Sequence, residues 1–351
     1  MRRRTAGLVL LAIGALAPAA CGGPPASGPV TPLPPGTYAF LANAVTSDVR
    51  VIDTRTLSVV GNPITVGAFP SDVVVSPDGQ RAYVISPTSN DVLVIDTRTR
   101  RVLGDPIRVG RYPSGAAVSP DGDRLYVADG EAADVRVIDT RTRRVLGTPI
   151  KVGDAPSGVA VSPDGKWVYV SSQYQDDLRA IDTQALQVFG NPIKVGHSPA
   201  RVVVNPDGSR AFVANLNSND ISVVDTRTLR VVGDPIKVGH YPYGMVISPD
   251  GHRLYVSDQD SGDVRVIDTA TLRVTGQPIK VGDAPAEIAM SPDGSRVYAA
   301  NMYSNDVSMI DTRTLRVIAS LGKVGAGPRG IAVAGITRTA SVTYSHAETT
   351  R

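Results

Sequence analysis

The chain has 351 residues, of which 36 are basic and 33 acidic, and it contains a single cysteine. Three of the basic residues precede Cys21 and no acidic residue does, so the remaining charges balance at 33 of each sign. Equal numbers of basic and acidic residues argue against nucleic-acid binding, which depends on clustered basic charge. A single cysteine excludes a disulfide within the chain.

The first 20 residues are predicted to be a signal peptide for export. A basic run at residues 2–4 is followed by an apolar stretch at 6–17 and then by small residues. The stretch is too short to cross a bilayer, which needs about 20 apolar residues. Cys21 follows at the position of the lipidated cysteine of bacterial lipoproteins, although Pro18 stands where leucine is usual.

Two fates of the N-terminus stay open. Lipidation of Cys21 would anchor the protein in the cell envelope, on the outer side of the cytoplasmic membrane, with residues 21–36 as a proline-rich tether. Cleavage after Ala17-Pro18-Ala19 would instead release a secreted protein whose cysteine is a free thiol.

From residue 37 to residue 337 the chain is a repeat with an interval of 43 residues. The most regular mark is an aspartate after a short apolar alternation, at Asp53, Asp96, Asp139, Asp182, Asp225, Asp268 and Asp311. A unit of this length cannot bury both of its faces alone and must pack against copies of itself. Seven such copies predict an all-β fold, a seven-bladed β-propeller.

One copy shows how a blade is built. Apolar alternation at 158–162 and 167–171 flanks the turn 163–165, and two further strand segments follow at 178–181 and 186–195. The pattern predicts four antiparallel strands, ordered from the innermost to the outermost. An aromatic residue on each second strand is predicted to fill the core between blades: Phe40, Tyr83, Tyr126, Tyr169, Phe212, Tyr255 and Tyr298.

The ends of the repeat predict how the ring closes. The first copy begins with a second strand at Tyr38, and the last copy ends with an unpaired first strand from Gly330 to Ala334. The two pieces add up to one blade, so the C-terminal strand should join the N-terminal sheet from the inside. Residues 338–351 are predicted to be a loose tail, and a closed ring is expected to be monomeric.

Several segments resemble the YVTN family of β-propeller repeat proteins: Tyr-Val-Ala-Asp at 126–129, Phe-Val-Ala-Asn at 212–215, Ser-Val-Val-Asp-Thr at 222–226 and Gly-Val-Ala-Val-Ser-Pro-Asp-Gly at 158–165. The resemblance implies a bacterial or archaeal envelope protein, usually without an assigned reaction. A more distant similarity to seven-bladed lactonases supplies no residue set that can be transferred to this chain. The repeated motifs specify blades and say little about function.

Variation between copies is concentrated on one face, where the loops between second and third strands lie beside the links between blades. Just inside the links, four copies have glycine and three have Asp72, Arg201 or Glu287. Exposed tyrosines suit binding, because they offer amphipathic contact area at low entropic cost. The predicted binding residues are Phe69, Asp72, Arg111, Tyr112, Tyr174, Arg201, Tyr241, Tyr243, Asp283, Glu287, Tyr303 and Arg329.

Three functional hypotheses follow. The first is an exported binding or scaffold module for an envelope protein, a peptide or a glycan, with no cofactor and no metal. The second is a lactonase-like or other hydrolase acting at the channel mouth through His197, His240, Asp154 and Glu287, because histidines and carboxylates at equivalent positions of neighbouring blades could form an acid–base pair or bind a metal. The third is a purely structural envelope protein.

Overall fold

The computed structural model describes residues 31–337. The predicted signal peptide, Cys21, most of the tether and the predicted tail lie outside the described residues. Within 31–337, no helix is long and apolar enough to span a bilayer.

The described chain forms seven antiparallel sheets, each ordered from inner to outer strand, which confirms the predicted seven-bladed propeller. We number blade 1 as the sheet that contains Tyr38 and the others in chain order. The inner strands of blades 2 to 7 are β5 (Asp72–Val75), β10 (Pro113–Val118), β14 (Pro156–Val161), β18 (Pro199–Val204), β23 (Pro242–Ile247) and β27 (Pro285–Met290); blade 1 takes β31 (Pro328–Ile336).

Second and third strands are regular in every blade. The second strands are β1 (Gly36–Asn43), β6 (Arg81–Ser86), β11 (Arg124–Asp129), β15 (Trp167–Ser172), β19 (Arg210–Asn215), β24 (Arg253–Asp258) and β28 (Arg296–Asn301). The third strands are β2 (Asp48–Asp53), β7 (Asp91–Asp96), β12 (Asp134–Asp139), β16 (Asp177–Asp182), β20 (Asp220–Asp225), β25 (Asp263–Asp268) and β29 (Asp306–Asp311).

The outer strands are the least regular, and each except that of blade 7 carries a proline, which cannot donate a ladder hydrogen bond. Four are continuous: β13 (Arg144–Lys151), β17 (Gln187–Lys194), β26 (Arg273–Lys280) and β30 (Arg316–Gly322). Three are split in two: β3 (Ser58–Val59) with β4 (Ile64–Thr65), β8 (Arg101–Val102) with β9 (Ile107–Arg108), and β21 (Arg230–Val231) with β22 (Ile236–Lys237).

The ring closes where β31 pairs with β1. The two strands are antiparallel, with Tyr38 opposite Ala334 and Phe40 opposite Ala332. This confirms the predicted closure, and the pairing extends beyond the predicted 330–334 segment to both ends of β31. At the other end of blade 1, Leu33 is buried and its amide donates to the Arg98 carbonyl at 2.8 Å. The last residues of the proline-rich segment therefore pack on blade 2.

The hydrophobic core lies between sheets. Seven buried clusters fill the seven junctions, and each combines residues of two neighbouring blades. The predicted aromatic of every second strand is at most 2% exposed. Burying a side chain of this size contributes about 1.5–3 kcal/mol, so the aromatic positions hold adjacent blades together.

The repeated aspartates have structural roles, as predicted. Asp139 accepts a hydrogen bond from the Thr142 amide at 2.6 Å, and the same turn recurs around the ring. The aspartate that starts each third strand pairs in several blades with the basic residue of the outer strand; Lys151 Nζ lies 2.9 Å from Asp134.

A second contact joins neighbouring blades on the face of the Pro-Asp-Gly turns. In five blades the second strand begins with an arginine whose Nη1 donates to a threonine carbonyl of the next blade, over 2.5–3.1 Å. We call these the junction arginines: Arg81, Arg124, Arg210, Arg253 and Arg296. The last donates to Thr54 and so links blade 7 to blade 1.

Glycines on the inner strands allow the blades to approach closely. A Cβ on Gly158 would lie 2.5 Å from the Ala200 carbonyl oxygen and 2.7 Å from the Arg201 Cα. Because these neighbours belong to the backbone of the next blade, they cannot move aside without shifting a strand. The inner ring therefore needs glycine wherever two inner strands meet in this way.

We predict that Gly158→Ala lowers the free energy of unfolding by about 1–3 kcal/mol, through overpacking against blade 5. Gly322→Ala is the matched control, since no heavy atom outside its chain neighbours lies within 4 Å of a Cβ there. That change should stay within about 0.5 kcal/mol. Urea denaturation of both variants measures the difference, and equal losses would contradict the account.

Candidate functional site

The candidate site lies at the end of the channel where the links between blades enter the inner strands. The last link residue before each inner-strand proline has a positive φ of 52–64°: Phe69, Tyr112, Ala155, Ser198, Tyr241, Ala284 and Gly327. Glycine adopts this backbone at the least cost, yet only one link uses it. Three links place a bulky aromatic there instead, although the turn itself does not require one.

Inside the links, the alternation of glycine with charged residues has a steric reason. The glycines that follow Asp72, Arg201 and Glu287 by one repeat are Gly115, Gly244 and Gly330. A Cβ on Gly115 would clash with the Ser157 carbonyl oxygen of blade 4 and would also lie 2.9 Å from Arg201 Nη1. The missing side chain thus leaves room for the guanidinium of a residue that lies two blades away.

The three charged residues meet across the channel. Arg201 Nη1 lies 3.1 Å from Asp72 Oδ2, and Arg201 Nε contacts Glu287 Oε1. They come from β18, β5 and β27, so one guanidinium links blades 5, 2 and 7. We call this group the channel triad. All three are at most 9% exposed and they bind each other, so their part in binding a ligand stays a prediction.

Burial decides the protonation of the channel triad. Loss of hydration raises the pKa of Glu287 to about 7, against the opposing effect of Arg201. Burial also raises the pKa of Asp72. Although burial opposes the charge on Arg201, Asp72 and Glu287 raise its pKa, so the guanidinium stays charged. Its Nη2 has no hydrogen-bond acceptor among residues 31–337.

Arg329 extends the group toward solvent. Its guanidinium carbon lies 5.8 Å from the centre of the Phe69 ring and 5.9 Å from that of Tyr243, and its Nη2 lies 3.4 Å from the Tyr243 hydroxyl. Tyr243 also stacks on Arg201, with 5.3 Å from the guanidinium carbon to the ring centre. In the part of the chain that the structure describes, Arg329 forms no ion pair with a carboxylate.

The remaining predicted residues divide into two groups. Tyr241 lies near both Arg329 and Tyr303, since both affect its pKa, which burial raises. Tyr112 lies close enough to Arg329 to affect the Arg329 pKa. Tyr112 is 48% exposed and Tyr303 is 65% exposed. Three further predicted residues, Arg111, Tyr174 and Asp283, are exposed. Within residues 31–337, no contact between them and Arg329 or the channel triad is seen.

The structure does not assemble the residues of the predicted hydrolytic site. His197 is exposed and its Nδ1 lies 2.9 Å from Asp176, a loop residue that the sequence did not single out. His240 and Asp154 are also exposed, whereas Glu287 is buried in the channel triad. Within residues 31–337, no three His, Cys, Asp or Glu side chains form a group that could hold a metal. The described residues therefore offer no metal site there, and an acid–base pair at these residues stays a prediction.

A cavity of 420 Å³ lies away from this cluster, on the face of the Pro-Asp-Gly turns. It is lined by residues of blades 4 and 5, among them Asp164, Trp167, Asp207 and Thr226. Sequence reasoning missed it, although the signal was present: Trp167 stands where five other copies have arginine.

Comparison with known proteins supports the fold. Residues 128–228 match the family model described as Lactonase, 7-bladed beta-propeller. Kuenenia stuttgartiensis hydrazine synthase aligns with a TM-score of 0.67 and 26% identity over 75% of this chain and 89% of that one. A functionally unknown protein from Desulfotomaculum acetoxidans aligns with a TM-score of 0.75 and 18% identity, covering 86% and 99%.

A putative 6-phosphogluconolactonase from Bacteroides uniformis aligns with a TM-score of 0.70 and 18% identity, covering 85% of this chain and 99% of that one. No curated protein matches the sequence. The chain is therefore a seven-bladed propeller that resembles lactonase-type propellers.

We predict that Arg201→Met destabilises the protein by about 3–5 kcal/mol at pH 8, because it leaves Asp72 and Glu287 buried without a cation. Burial raises both carboxyl pKa values, so the folded state holds protons more tightly than the unfolded one. The penalty should therefore shrink as the pH falls below 7 toward 5.

Chemical denaturation at pH 5 and pH 8 measures this difference. The triple variant Asp72→Asn, Arg201→Met, Glu287→Gln serves as control and should lose the pH dependence, because it removes the carboxylates together with the cation. A penalty for Arg201→Met that is the same at both pH values would show that the carboxylates do not depend on Arg201.

Proposed function

We propose that the protein is an exported binding module whose ligand docks at the channel mouth with an acidic group on Arg329. The proposal rests on Arg329, which is half-buried and lies against the rings of Phe69 and Tyr243. Among the described residues, its guanidinium forms no ion pair with a carboxylate. Guanidinium groups bind carboxylates and phosphates through two parallel hydrogen bonds.

The surroundings of Arg329 favour a ligand that is larger than an inorganic ion. Tyr112 and Tyr303 are exposed beside it, and Tyr241 is half-buried. Tyrosines of this kind stack on sugar rings or on the apolar parts of peptides at low entropic cost. An acidic peptide or an acidic sugar would fit both features.

The channel triad beneath supports an anion for two reasons. Arg201 Nη2 is a buried donor without an acceptor among residues 31–337, and an unmet buried donor is costly. Furthermore, Asp72 and Glu287 both act on Arg201, Arg329 lies close enough to Glu287 to oppose the rise of its pKa, and that pKa is about 7. Protonation of Glu287 gives the group a net positive charge, so anion binding should weaken as the pH rises through 7.

We predict that acidic sugars or acidic peptides bind at the channel mouth and that Arg329→Met weakens this binding at least tenfold, by loss of the charge-assisted hydrogen bonds. Arg273→Met is the matched control, since it removes the same charge from an exposed outer-strand position. Calorimetric titration of a panel of neutral and acidic oligosaccharides and peptides measures the affinities.

Binding that is unchanged in Arg329→Met would remove the channel mouth as the site. The same panel includes lactones, because the family match at residues 128–228 makes lactone hydrolysis the second candidate. Turnover that is lost in Glu287→Gln and kept in Arg273→Met would replace the binding proposal with a hydrolase. No binding and no turnover would favour a purely structural role.

We also propose that Cys21 is lipidated and that this anchors the propeller in the cell envelope. The proposal rests on the sequence around Cys21, which lies outside the described residues. In the native bacterium, Cys21→Ser should move the protein from the membrane fraction to the soluble fraction and abolish incorporation of labelled fatty acid. Membrane retention of the variant would show that another element holds the protein there.

A further inference from the structure

The junction between blades 4 and 5 lacks the inter-blade contact that five other junctions share. The first residue of β15 is Trp167, whereas the junction arginines hold this position in blades 2, 3, 5, 6 and 7. The equivalent acceptor is the carbonyl of Thr226, which receives no hydrogen bond from a donor within residues 31–337. The Thr226 carbonyl is therefore present as an acceptor, but the arginine that would donate to it is absent.

The other exception, between blades 1 and 2, is filled by the chain itself. Tyr38 replaces the arginine there, its hydroxyl donates to the Pro34 carbonyl at 3.1 Å, and Leu33 packs beside it. Among the described residues, 31–337, no such segment covers blade 4. Trp167 instead tilts onto Phe189 of the outer strand, with 5.0 Å between ring centres and an angle of 54°.

The cavity of 420 Å³ opens at this junction. Its lining includes the indole of Trp167, the ring of Tyr169, the carboxylates of Asp164 and Asp207, and Thr226. In the neighbouring blade 3, the counterpart of Tyr169 is Tyr126, which interacts with the junction arginine Arg124. The cavity thus lies where a guanidinium is found in other blades, and its volume is within the range of ligand sites.

The cavity contains two ionised carboxylates and a buried tyrosine. Hydrogen bonds, led by that from Ser162, lower the pKa of Asp164, and a bond from the Ser209 amide lowers that of Asp207, so both are ionised at neutral pH. Burial raises the pKa of Tyr169 to about 12, and no arginine opposes this shift as Arg124 does for Tyr126.

Two cations flank the carboxylates of the cavity. Lys166 is an exposed side chain 3.7 Å from Asp164, and Arg227, an exposed residue of the next turn, is itself part of the cavity lining. At the junction of blades 2 and 3, Arg141 is the counterpart of Arg227, and the junction arginine Arg81 donates to the carbonyl of the adjacent Thr140. An arginine in the turn is therefore compatible with a second guanidinium on the threonine carbonyl.

We propose that the cavity between blades 4 and 5 binds a guanidinium group, free or carried by an arginine side chain of a peptide. The group donates to the Thr226 carbonyl and to the Asp164 and Asp207 carboxylates, and it stacks on the face of Trp167. Arginine is favoured over lysine because the site offers several planar acceptors beside an aromatic face. This site is separate from the channel mouth and does not depend on the proposed function.

The fluorescence of Trp167 provides a direct measurement, since it is the only tryptophan of the chain. Titration of the full-length protein with methylguanidinium, with arginine and with the peptide Gly-Arg-Gly should give saturable changes. Citrulline and Gly-Lys-Gly should bind at least tenfold more weakly. Tighter binding of arginine than of Gly-Arg-Gly would assign the site to the free amino acid, and the reverse order would assign it to a peptide; both support the proposal.

Variants test the site independently. Asp164→Asn with Asp207→Asn should weaken binding at least tenfold, whereas Asp121→Asn with Asp250→Asn should leave it unchanged, because those aspartates hold the same turns beside Arg124 and Arg253. Trp167→Arg should refill the cavity, abolish binding in calorimetry and raise the melting temperature.

Either of two results would overturn the proposal. One is citrulline or Gly-Lys-Gly binding as tightly as the guanidinium compounds, or no saturable change with any of them. The other is a folded Trp167→Arg protein that retains full binding, because the introduced arginine should fill the cavity and compete with the ligand.

Discussion

The pairing of β31 with β1 is the contact on which the rest of the structure depends. Each sheet buries its faces only against its neighbours, so an open row of blades would leave an apolar face bare at each end. By supplying the inner strand of blade 1, β31 removes an unpaired edge and brings blade 7 against blade 1. All seven junctions then have a buried cluster.

Closure also creates the chemistry of the channel. Arg201 and Asp72 are 129 residues apart and meet because their inner strands face the same axis. The glycines of the other blades keep that axis open, and Gly115 in particular leaves space for the Arg201 guanidinium. The channel triad occupies this space, so a ligand would rest above it, on Arg329 and the surrounding tyrosines. The inner strands, which carry the channel triad, thus limit how far a ligand can enter the channel. The links between blades supply the aromatic residues that a ligand would contact.

The two candidate sites share one origin, because both occur where the repeat is interrupted. Around the channel, charged residues replace glycine at three of the seven inner positions. At the junction of blades 4 and 5, Trp167 replaces an arginine, and the Thr226 carbonyl receives no hydrogen bond from a donor within residues 31–337. A regular repeat satisfies its own hydrogen bonds, so a substitution at one copy exposes groups that a ligand can satisfy. The sites also differ in charge, since the channel mouth presents a cation and the cavity presents carboxylates.

The amino-acid sequence determined the number of blades, their strand order and the closure of the ring, because the 43-residue interval and the alternation within each copy depend on local patterns alone. It also indicated the face on which the copies differ and included Arg329, Tyr241 and Tyr243 among the predicted binding residues there. Tertiary structure decided which charges neutralise each other. Asp72, Arg201 and Glu287 belong to different blades, and His197 meets Asp176 rather than Asp154, because such pairings depend on the distances between strands that sequence spacing does not encode. The cavity beside Trp167 arose in the same way, since an empty space exists only between two packed blades.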